Sequence, residues 1–461
     1  MDTNPGGAAQ RAARVVALLG LSVAILTGCA AYRPLPLPAG PDAAAGPDRL
    51  KMDLAQLRVQ PLGAIRIDAR KITPLAAGVL AALNNPDLRA KRAALGVPAA
   101  EVFAAGLLPD PQINGGVDQP IAGPDTHTAF SLSPSLDIAG LLAAASSERA
   151  ARFTASQADL EVLWAEWTTA QQARRLAETV LADEARAVRL RPTLAAASAR
   201  AASSTEALGR HDVAASAAMA DEAARLDAAD QLAAAEQAAR QARRDLNALL
   251  GLDAAAILPL VPDPAGANAY SDAEIAEALA SLPRRRPDLL ALQAGYAAED
   301  AKLRQAILAQ FPLASAAFAY ARDPTPTTTV GVSAALVLPI FNGGRGQVKV
   351  QAATREQLRA EYQARLDQAE AEVKDAAAQR AEAEAQANAV RASAPRLQAM
   401  AAPAPEALQR RDIDSGTYLA LTQAAAGAET HLEDRELAAR LAQIALETAL
   451  FIPPVQARTA S

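Results

Sequence analysis

The glycine-rich stretch PIFNGGRGQV at residues 339–348 is the segment whose residue types most directly suggest a ligand-binding site. It places glycines between an apolar alternating run and a long helical pattern, where a phosphate-binding loop would lie. The signature GxxxxGK[ST] is absent, however, and the corresponding stretch in the first half of the chain, DIAGLLAA, keeps only Gly140. We therefore expect no nucleotide site, and we interpret Gly140, Gly343 and Gly344 as glycines that let a strand turn sharply into a helix.

The remaining reactive side chains do not form a catalytic or metal-binding pattern. The chain has 3 histidines and 1 cysteine, and it lacks CxxC, HExxH and GxSxG motifs and a convincing Ser/His/Asp set. We expect neither His127 nor His211 to bind a metal. A net charge of -6 provides no basic field for nucleic acid. The sequence thus predicts a protein that is not an enzyme and has no metal, no cofactor and no nucleic-acid partner.

The N-terminus is typical of a bacterial lipoprotein. Two arginines precede an apolar run of about a dozen residues, too short for a membrane-spanning helix but suited to a signal peptide. The run ends in Leu-Thr-Gly-Cys, which resembles a lipobox, and its Cys29 is the only cysteine. We predict that residues 1–28 are cleaved and that Cys29 carries a palmitate-type lipid, followed by a proline-rich tether at 29–68. A chance cysteine after an ordinary signal peptide is the alternative.

The two halves of the chain have similar sequences. The motif NNPDLRA at 84–90 recurs as RRPDLLA at 285–291, and ALGRHDV near residue 207 recurs as ALQRRDI near residue 407. The landmarks keep the same order and a spacing of roughly 200 residues, which indicates an internal duplication. We place the first repeat at 69–265 and the second at 266–452, and we assign 453–461 to a C-terminal tail.

Each repeat contains two strand patterns. They lie at about 111–119 and 126–138 in the first repeat and at about 312–322 and 328–341 in the second. In FSLSPSLDI, apolar and polar residues alternate with the period of two that a two-faced sheet requires. Pro134 lies inside this strand and lacks the N–H needed to pair on both sides, so we expect a bulge there.

Long helical patterns follow the strands. Neither proline nor glycine occurs from Leu141 to Arg191 or from Gln347 to Ala394. These spans would each reach roughly 70 to 75 Å, and because they are charged throughout, they lie in water. Each helix should continue past a proline, turn near Asp212 or Gly416 and return as a second helix. Before the strands, the pattern from Asn84 to Leu108 predicts one helix. On the first long helix, we interpret Trp164 and Trp167 as packing anchors.

These elements cannot complete a fold alone, because four strands per chain are too few for a transmembrane barrel, which needs about eight. Several copies must share one barrel, and their long helices would then lie side by side. The chain resembles the TolC-type outer-membrane efflux channels. The resemblance rests on both PDL motifs, on ARRDLNALLG, on LVLPIFNGGRGQVKVQAATREQLRAEY and on IDSGTYLALTQAAAGAE, and it covers about 69–451.

The resemblance implies a mainly α-helical fold with a small β part. Three copies would form a homotrimer with a 12-stranded transmembrane β-barrel in the outer membrane of a Gram-negative bacterium. Their α-helical hairpins would form an α-barrel that extends into the periplasm. The protein would be a passive exit duct that works with a periplasmic adaptor (membrane fusion) protein and, indirectly, with an inner-membrane pump.

The resemblance also implies that the hairpin tips form the periplasmic gate and dock the adaptor. In related channels this end is closed by salt bridges and hydrogen bonds. Gly416 would adopt a left-handed conformation above Tyr418. The corresponding candidates in this chain are Arg210, Asp212, Arg410, Arg411, Asp412, Asp414 and Gly416.

Two other functions remain open from the sequence. The first is a periplasmic coiled-coil scaffold or adaptor lipoprotein without a pore, in which the alternating segments form a soluble sheet. The second, more remote, is a lipid-anchored enzyme.

Overall fold

In the computed structural model, the described residues are 32–452 except for 60, 61, 63, 64, 66, 123–126, 264–269, 312, 313, 326 and 337–339. The predicted signal peptide, Cys29 and the tail at 453–461 lie outside the described residues.

The first repeat contains three short helices, two strands and a long helical hairpin. Its elements are α1 (Pro74–Asn84), α2 (Pro86–Ala94), α3 (Gly96–Gly106), β1 (Gln112–Asp118), β2 (Ala129–Asp137), α4 (Ile138–Gly209) and α5 (Ala215–Leu250). The single helix predicted from residue 84 to 108 is wrong, since the segment is broken at Asn85 and again at Leu95. Pro86 and Pro98 lack the N–H that a continuous helix would use, and each therefore lies in the first turn of a new helix.

The second repeat also has short helices, two strands and a long helical hairpin in that order. Its elements are α6 (Asp272–Ala280), α7 (Leu282–Arg285), α8 (Pro287–Leu308), β3 (Ala314–Arg322), β4 (Thr328–Leu336), α9 (Arg345–Ala401), α10 (Ala404–Gln409) and α11 (Ser415–Leu450). It has one additional short helix, α10, before its tip. The predicted class, mainly α-helical with a small β part in a duplicated repeat, is confirmed.

The two long helices run through their internal prolines. Helix α4 has 72 residues and includes Pro192, and α9 has 57 residues and includes Pro395. At 1.5 Å per residue they extend about 108 and 85 Å. Helix α9 ends at Ala401, where Pro403 and Pro405 follow in close succession and remove two backbone donors.

Each long helix packs against the returning helix of its own hairpin, α4 against α5 and α9 against α11. The same ion pair holds both hairpins, between Arg191 and Glu236 at 3.3 Å in the first and between Arg391 and Glu436 at 2.7 Å in the second. The duplication therefore extends from the order of the elements to individual contacts.

One part of the hydrophobic core lies where α1 packs on α4 and α5, and a separate cluster in the second repeat joins α8, α9 and α11. Every residue of α1 is buried. At Gly78 the backbones of α1 and α4 approach so closely that a Cβ atom would lie 2.7 Å from the carbonyl oxygen of Ala170. Because only glycine fits this contact, the position requires it.

The prediction of an extended tether at 29–68 is wrong for its second part, which is packed rather than extended. Ala44 forms a parallel bridge with Leu252, and Leu50, Leu57 and Val59 are buried. Leu57 and Val59 belong to a cluster that also contains Trp167. The apolar side chains that recur from Leu50 onward are buried against α1 and α4. This burial stabilises the packed conformation relative to an extended tether, in which the same side chains would be exposed to water.

The four strands form one antiparallel sheet in the order β1-β2-β3-β4. The observed strands lie inside the predicted ranges, although β2 begins later than predicted and residues 340–341 are not in a strand. Positions 312, 313 and 337–339, which the prediction included, lie outside the described residues. The β2–β3 pairing joins the hairpin of the first repeat to that of the second.

The predicted bulge at Pro134 is wrong. The β2–β3 ladder pairs Leu132 with Tyr320 and Ser135 with Ala317, so its register is the same on both sides of the proline. The ladder lacks only the pairs at positions 133 and 134, and both of these pairs would use an N–H at position 134. On the other side of β2, Pro134 pairs with Ile113 without needing that donor. The proline therefore costs hydrogen bonds but leaves the register unchanged.

Candidate functional site

The sheet carries an exposed apolar face. Cross-strand pairs on this face join Leu132 to Tyr320 and Phe318 to Val332, and the side chain of Val332 is 86 % exposed. A continuous exposed apolar surface of this kind is typical of a membrane or protein contact. The large apolar residues of the face are Ile113, Val117, Phe130, Leu132, Leu136, Phe318, Tyr320, Val330 and Val332.

The opposite face of the sheet is polar or lined by small residues. Among the described strand residues, no lysine or arginine occurs on this face, and its carboxylates are Asp118 and Asp137 near opposite ends of the sheet. Such a face can lie against water while the other lies against lipid. Its other members on β2 to β4 are Ala129, Ser131, Ser133, Ser135, Ser315, Ala317, Ala319, Ala321, Thr329, Gly331, Ser333 and Ala335.

The sheet has two edges. Within the described residues, β1 pairs only with β2 and β4 pairs only with β3, so both outer strands keep a row of backbone donors and acceptors unpaired in the chain. Strands β2, β3 and β4 have 9 residues each, close to the roughly 9–11 residues that a tilted strand needs to span a bilayer. In a membrane, such edges require a partner strand.

The strand-to-helix turns differ between the repeats. Gly343 and Gly344 have φ values of 57° and 65°, the left-handed region that favours glycine. Gly140 instead lies in the first turn of α4, and a turn role for it is wrong. Its constraint is steric, since a Cβ atom would lie 2.7 Å from Oδ2 of Asp137 and 3.1 Å from Cγ of Pro109.

The two hairpin tips have the same backbone turn. His211 and Arg411 follow the helix ends in the left-handed conformation, with φ of 64° and 62°. The N–H of Asp212 donates to the carbonyl of Ala207 at 2.9 Å, and the second repeat forms the same bond from Asp412 at 2.8 Å. This pattern is a Schellman cap. The predicted left-handed Gly416 is wrong: Gly416 lies in the first turn of α11, and the cap uses Arg411.

Short-range ion pairs accompany both tips. Arg210 contacts Glu206 at 2.6 Å and Asp212 at 3.0 Å, and Arg410 makes the counterpart contact to Asp412 at 3.4 Å. All these side chains are largely exposed, so each pair contributes under about 1 kcal/mol to stability. The sequence analysis missed two partners in these contacts, Glu206 beside Arg210 and Glu406 beside Arg410, although their matching positions in the two repeats could have indicated them.

Asp414 has a structural role at the second tip. Its Oδ1 accepts a hydrogen bond from the backbone N–H of Thr417 at 2.6 Å and caps α11. This bond, aided by the positive charge of Arg200, lowers the pKa of Asp414. The first repeat has Ala214 at this place, so only one hairpin has a side-chain cap.

A second buried site, missed in the sequence, surrounds the two tryptophans. Trp167 donates from Nε1 to the carbonyl of Thr448 at 3.1 Å and meets Phe451 edge-on at 5.1 Å. The guanidinium of Arg286 lies 4.6 Å from the centre of the Trp164 ring. The tryptophans thus act as packing anchors, as predicted, and the RRRPDL motif was the available signal for a buried arginine.

Arg286 also belongs to a network of charges. Its guanidinium contacts Asp288 at 3.0 Å and Glu372 at 2.5 Å, and Arg365 contacts both carboxylates at 2.7 Å. Partial burial of Glu372 favours the neutral form, but hydrogen bonds from Arg365 and Arg286 outweigh that effect and lower its pKa. The four side chains join α7, α8 and α9 in the second repeat.

Comparison with solved structures identifies this architecture. The Campylobacter jejuni CmeC outer membrane channel aligns with 92 % of this chain and 93 % of its own, at 14 % identity and a TM-score of 0.67. The open state of the Neisseria gonorrhoeae MtrE outer membrane channel aligns with 84 % and 94 %, at 15 % identity and a TM-score of 0.64. The chain has the fold of TolC-type outer-membrane channels. A membrane protein from Pseudomonas aeruginosa aligns with 92 % and 97 %, at 19 % identity and a TM-score of 0.68.

Sequence comparison adds no further relative: no protein-family model and no curated protein matches the chain. Within the described residues, no helix is long and apolar enough to cross a membrane, and no group of three or more metal-ligating side chains occurs. The assignment of the TolC-type fold is based on the arrangement of the duplicated hairpins and the shared sheet.

Proposed function

We propose that this chain is one subunit of a homotrimeric outer-membrane exit duct for a tripartite efflux or export system. The observation that carries the proposal is the two-faced sheet with two open edges, in a chain whose strands are followed by helices of about 85 to 108 Å. Three such sheets would provide 12 strands, enough to close a transmembrane barrel. The likeness to the CmeC and MtrE outer membrane channels supports this function.

The duct would be passive. Substrates would enter from a periplasmic adaptor coupled to an inner-membrane pump and leave through the barrel, so the chain would need no catalytic group and would not be an enzyme. Lipid on Cys29 would anchor the N-terminus in the outer membrane. The tips at Arg210, Asp212, Arg410, Arg411, Asp412, Asp414 and Gly416 would form the gate and the adaptor docking site.

The exposed apolar face distinguishes this proposal from a periplasmic scaffold or adaptor without a pore. A soluble scaffold would leave Leu132, Phe318 and Val332 in water, which has a free-energy cost of roughly 25 cal/mol for each Å² of apolar surface. A lipid-embedded barrel would cover the same residues with acyl chains. The face therefore favours the duct.

The decisive experiment compares two neighbouring residues of β4 that lie on opposite faces. Val332→Asp places a carboxylate against lipid, whereas Ser333→Asp places it on the polar face. We expect detergent-extracted parent protein and Ser333→Asp to run as heat-sensitive trimers and to conduct ions in planar bilayers. Val332→Asp should fail to insert. A soluble monomer that never conducts, with both variants behaving as the parent does, would favour the scaffold.

A further inference from the structure

The two repeats of one chain meet along a seam held by ion pairs. Helix α4 of the first repeat packs against α11 of the second, and the pairing is antiparallel. Arg186 binds both carboxylate oxygens of Asp434 at 2.5 and 2.6 Å. The other pairs along this seam are Arg174 with Glu447, Glu178 with Arg440 and Arg189 with Glu433.

The duplication predicts a second seam of the same geometry. The hairpin ion pairs Arg191–Glu236 and Arg391–Glu436 are offset by 200 residues (391 minus 191, and 436 minus 236). Helix α9 is thus the counterpart of α4, and α5 is the counterpart of α11. In the chain, however, α5 packs mainly on α4, and α9 packs mainly on α11 and α8. The corresponding faces of α5 and α9 therefore need a partner from another copy.

The residues at the counterpart positions have a different chemistry. None of the four counterpart pairs joins opposite charges, so the ion-pair ladder of the seam within the chain is not repeated. The counterpart pairs are Lys374 with Asn247, Ala378 with Arg240, Gln386 with Ala234 and Ala389 with Ala233.

Large apolar side chains extend both counterpart faces toward the tips. On α5, Met219 and Leu226 precede Ala233 at heptad spacing and are 73 % and 51 % exposed. On α9, Leu397 follows Gln386 by 11 residues and Met400 follows Ala389 by 11 residues, which is about three helical turns in each case, and the two side chains are 41 % and 65 % exposed. Exposed side chains of this size on helices this long indicate a helix partner.

We propose that α5 of one copy packs antiparallel on α9 of the next, with Leu226 against Leu397 and Met219 against Met400. The register follows from the pair Arg189–Glu433, whose counterparts place Ala389 beside Ala233. Moving about two turns toward the tips from that pair brings Leu397 level with Leu226. The inference rests on the homotrimer of the proposed function. In this arrangement the seam between neighbouring copies is apolar, whereas the seam within each copy is held by ion pairs.

Cysteine cross-linking tests the register, because Cys29 is the only native cysteine. In detergent-extracted full-length chain, Leu226→Cys combined with Leu397→Cys should give covalent dimers and trimers on oxidation, which reductant should reverse. Met219→Cys with Met400→Cys is an independent second pair. Arg186→Cys with Asp434→Cys lies in the seam within the chain and should cross-link without forming oligomers.

The matched control moves one cysteine by one residue. Asp227→Cys lies about 100° further round α5, so with Leu397→Cys it should cross-link at least tenfold less than the main pair. Equal cross-linking of main and control pairs, or none from either apolar pair, would overturn the seam. Conductance of the same preparations separates the two proposals: a conducting trimer without these cross-links refutes only the seam, whereas a non-conducting monomer refutes the duct as well.

Discussion

Asn85 and Arg286 occupy the same place in the two repeats and bind equivalent carbonyl groups. Nδ2 of Asn85 donates to the carbonyl of Leu249 at 2.9 Å, and Nη1 of Arg286 donates to that of Ala449 at 3.3 Å. Each bond ties the start of a short helix to the end of the returning hairpin helix. The duplication thus preserves a tertiary contact although the side chain has changed from a neutral amide to a buried cation.

Replacing Arg286 should strongly destabilise the protein. Arg286→Met leaves Asp288 and Glu372 with Arg365 alone and removes the cation above Trp164, so we expect a loss of about 3–5 kcal/mol in the free energy of unfolding. The exposed neighbour Arg285 is the control, since Arg285→Met should change stability by less than about 0.5 kcal/mol. Denaturant unfolding measures both. Equal stabilities would contradict a structural role for the network.

Glu178 should make stability depend on pH. Burial raises its pKa, and the charges of Arg440 and Arg174 offset this only partly. Between the ordinary glutamate pKa and the raised one, the folded state binds more protons than the unfolded state, so stability should increase as pH falls through that window. Glu178→Gln should flatten this part of the profile. An unchanged slope in denaturant titrations at several pH values would refute the assignment.

Gly344 and Gly346 provide a matched pair at the start of α9. Gly344 has a left-handed backbone, whereas a Cβ atom at Gly346 would meet nothing within 4 Å. We expect Gly344→Ala to cost about 1–2 kcal/mol and Gly346→Ala to be neutral or slightly stabilising, because alanine favours the helix. Thermal unfolding distinguishes them. A neutral Gly344→Ala would show that the turn does not need glycine.

Asp412 offers the cleanest test of the proposed gate. It contacts Arg410 at 3.4 Å and does not cap a helix, whereas Asp414 caps α11, so neutralising Asp414 would also loosen the tip. Asp412→Asn should lower cation preference, because three carboxylates near one axis attract cations, and it should raise single-channel conductance, because it removes the contact with Arg410 that would help to close the gate. Asp212→Asn is the matched variant in the first repeat. Bilayer recordings that do not differ from the parent would remove Asp412 from the gate.

The features that the sequence predicted correctly are those that repeat over short distances. Period-two alternation in FSLSPSLDI and in the β4 region predicted both strands and the apolar face, since successive side chains of a strand point to opposite sides. The proline-free runs predicted the long helices, and the recurring PDL motif predicted the duplication. The tips were located within a few residues because Asp212 and Gly416 lie beside the chain reversals.

The contacts that join distant parts of the chain were decided only by the tertiary structure. Trp167 binds a carbonyl 281 residues away, and no local pattern specifies such a partner. The packing of Leu50 to Val59, the left-handed Arg411 in place of Gly416 and the retained register at Pro134 were likewise not evident. A long-range contact outweighed the local preference at Leu50 to Val59, and the strand partners did so at Pro134. At Arg411 the backbone hydrogen bonds of the helix cap fixed the left-handed conformation. The sequence by itself determined periodicity, repetition and the two faces of the sheet, because these depend on neighbouring residues. The tertiary structure decided which charges are buried and which faces remain open, because both depend on how the two repeats meet.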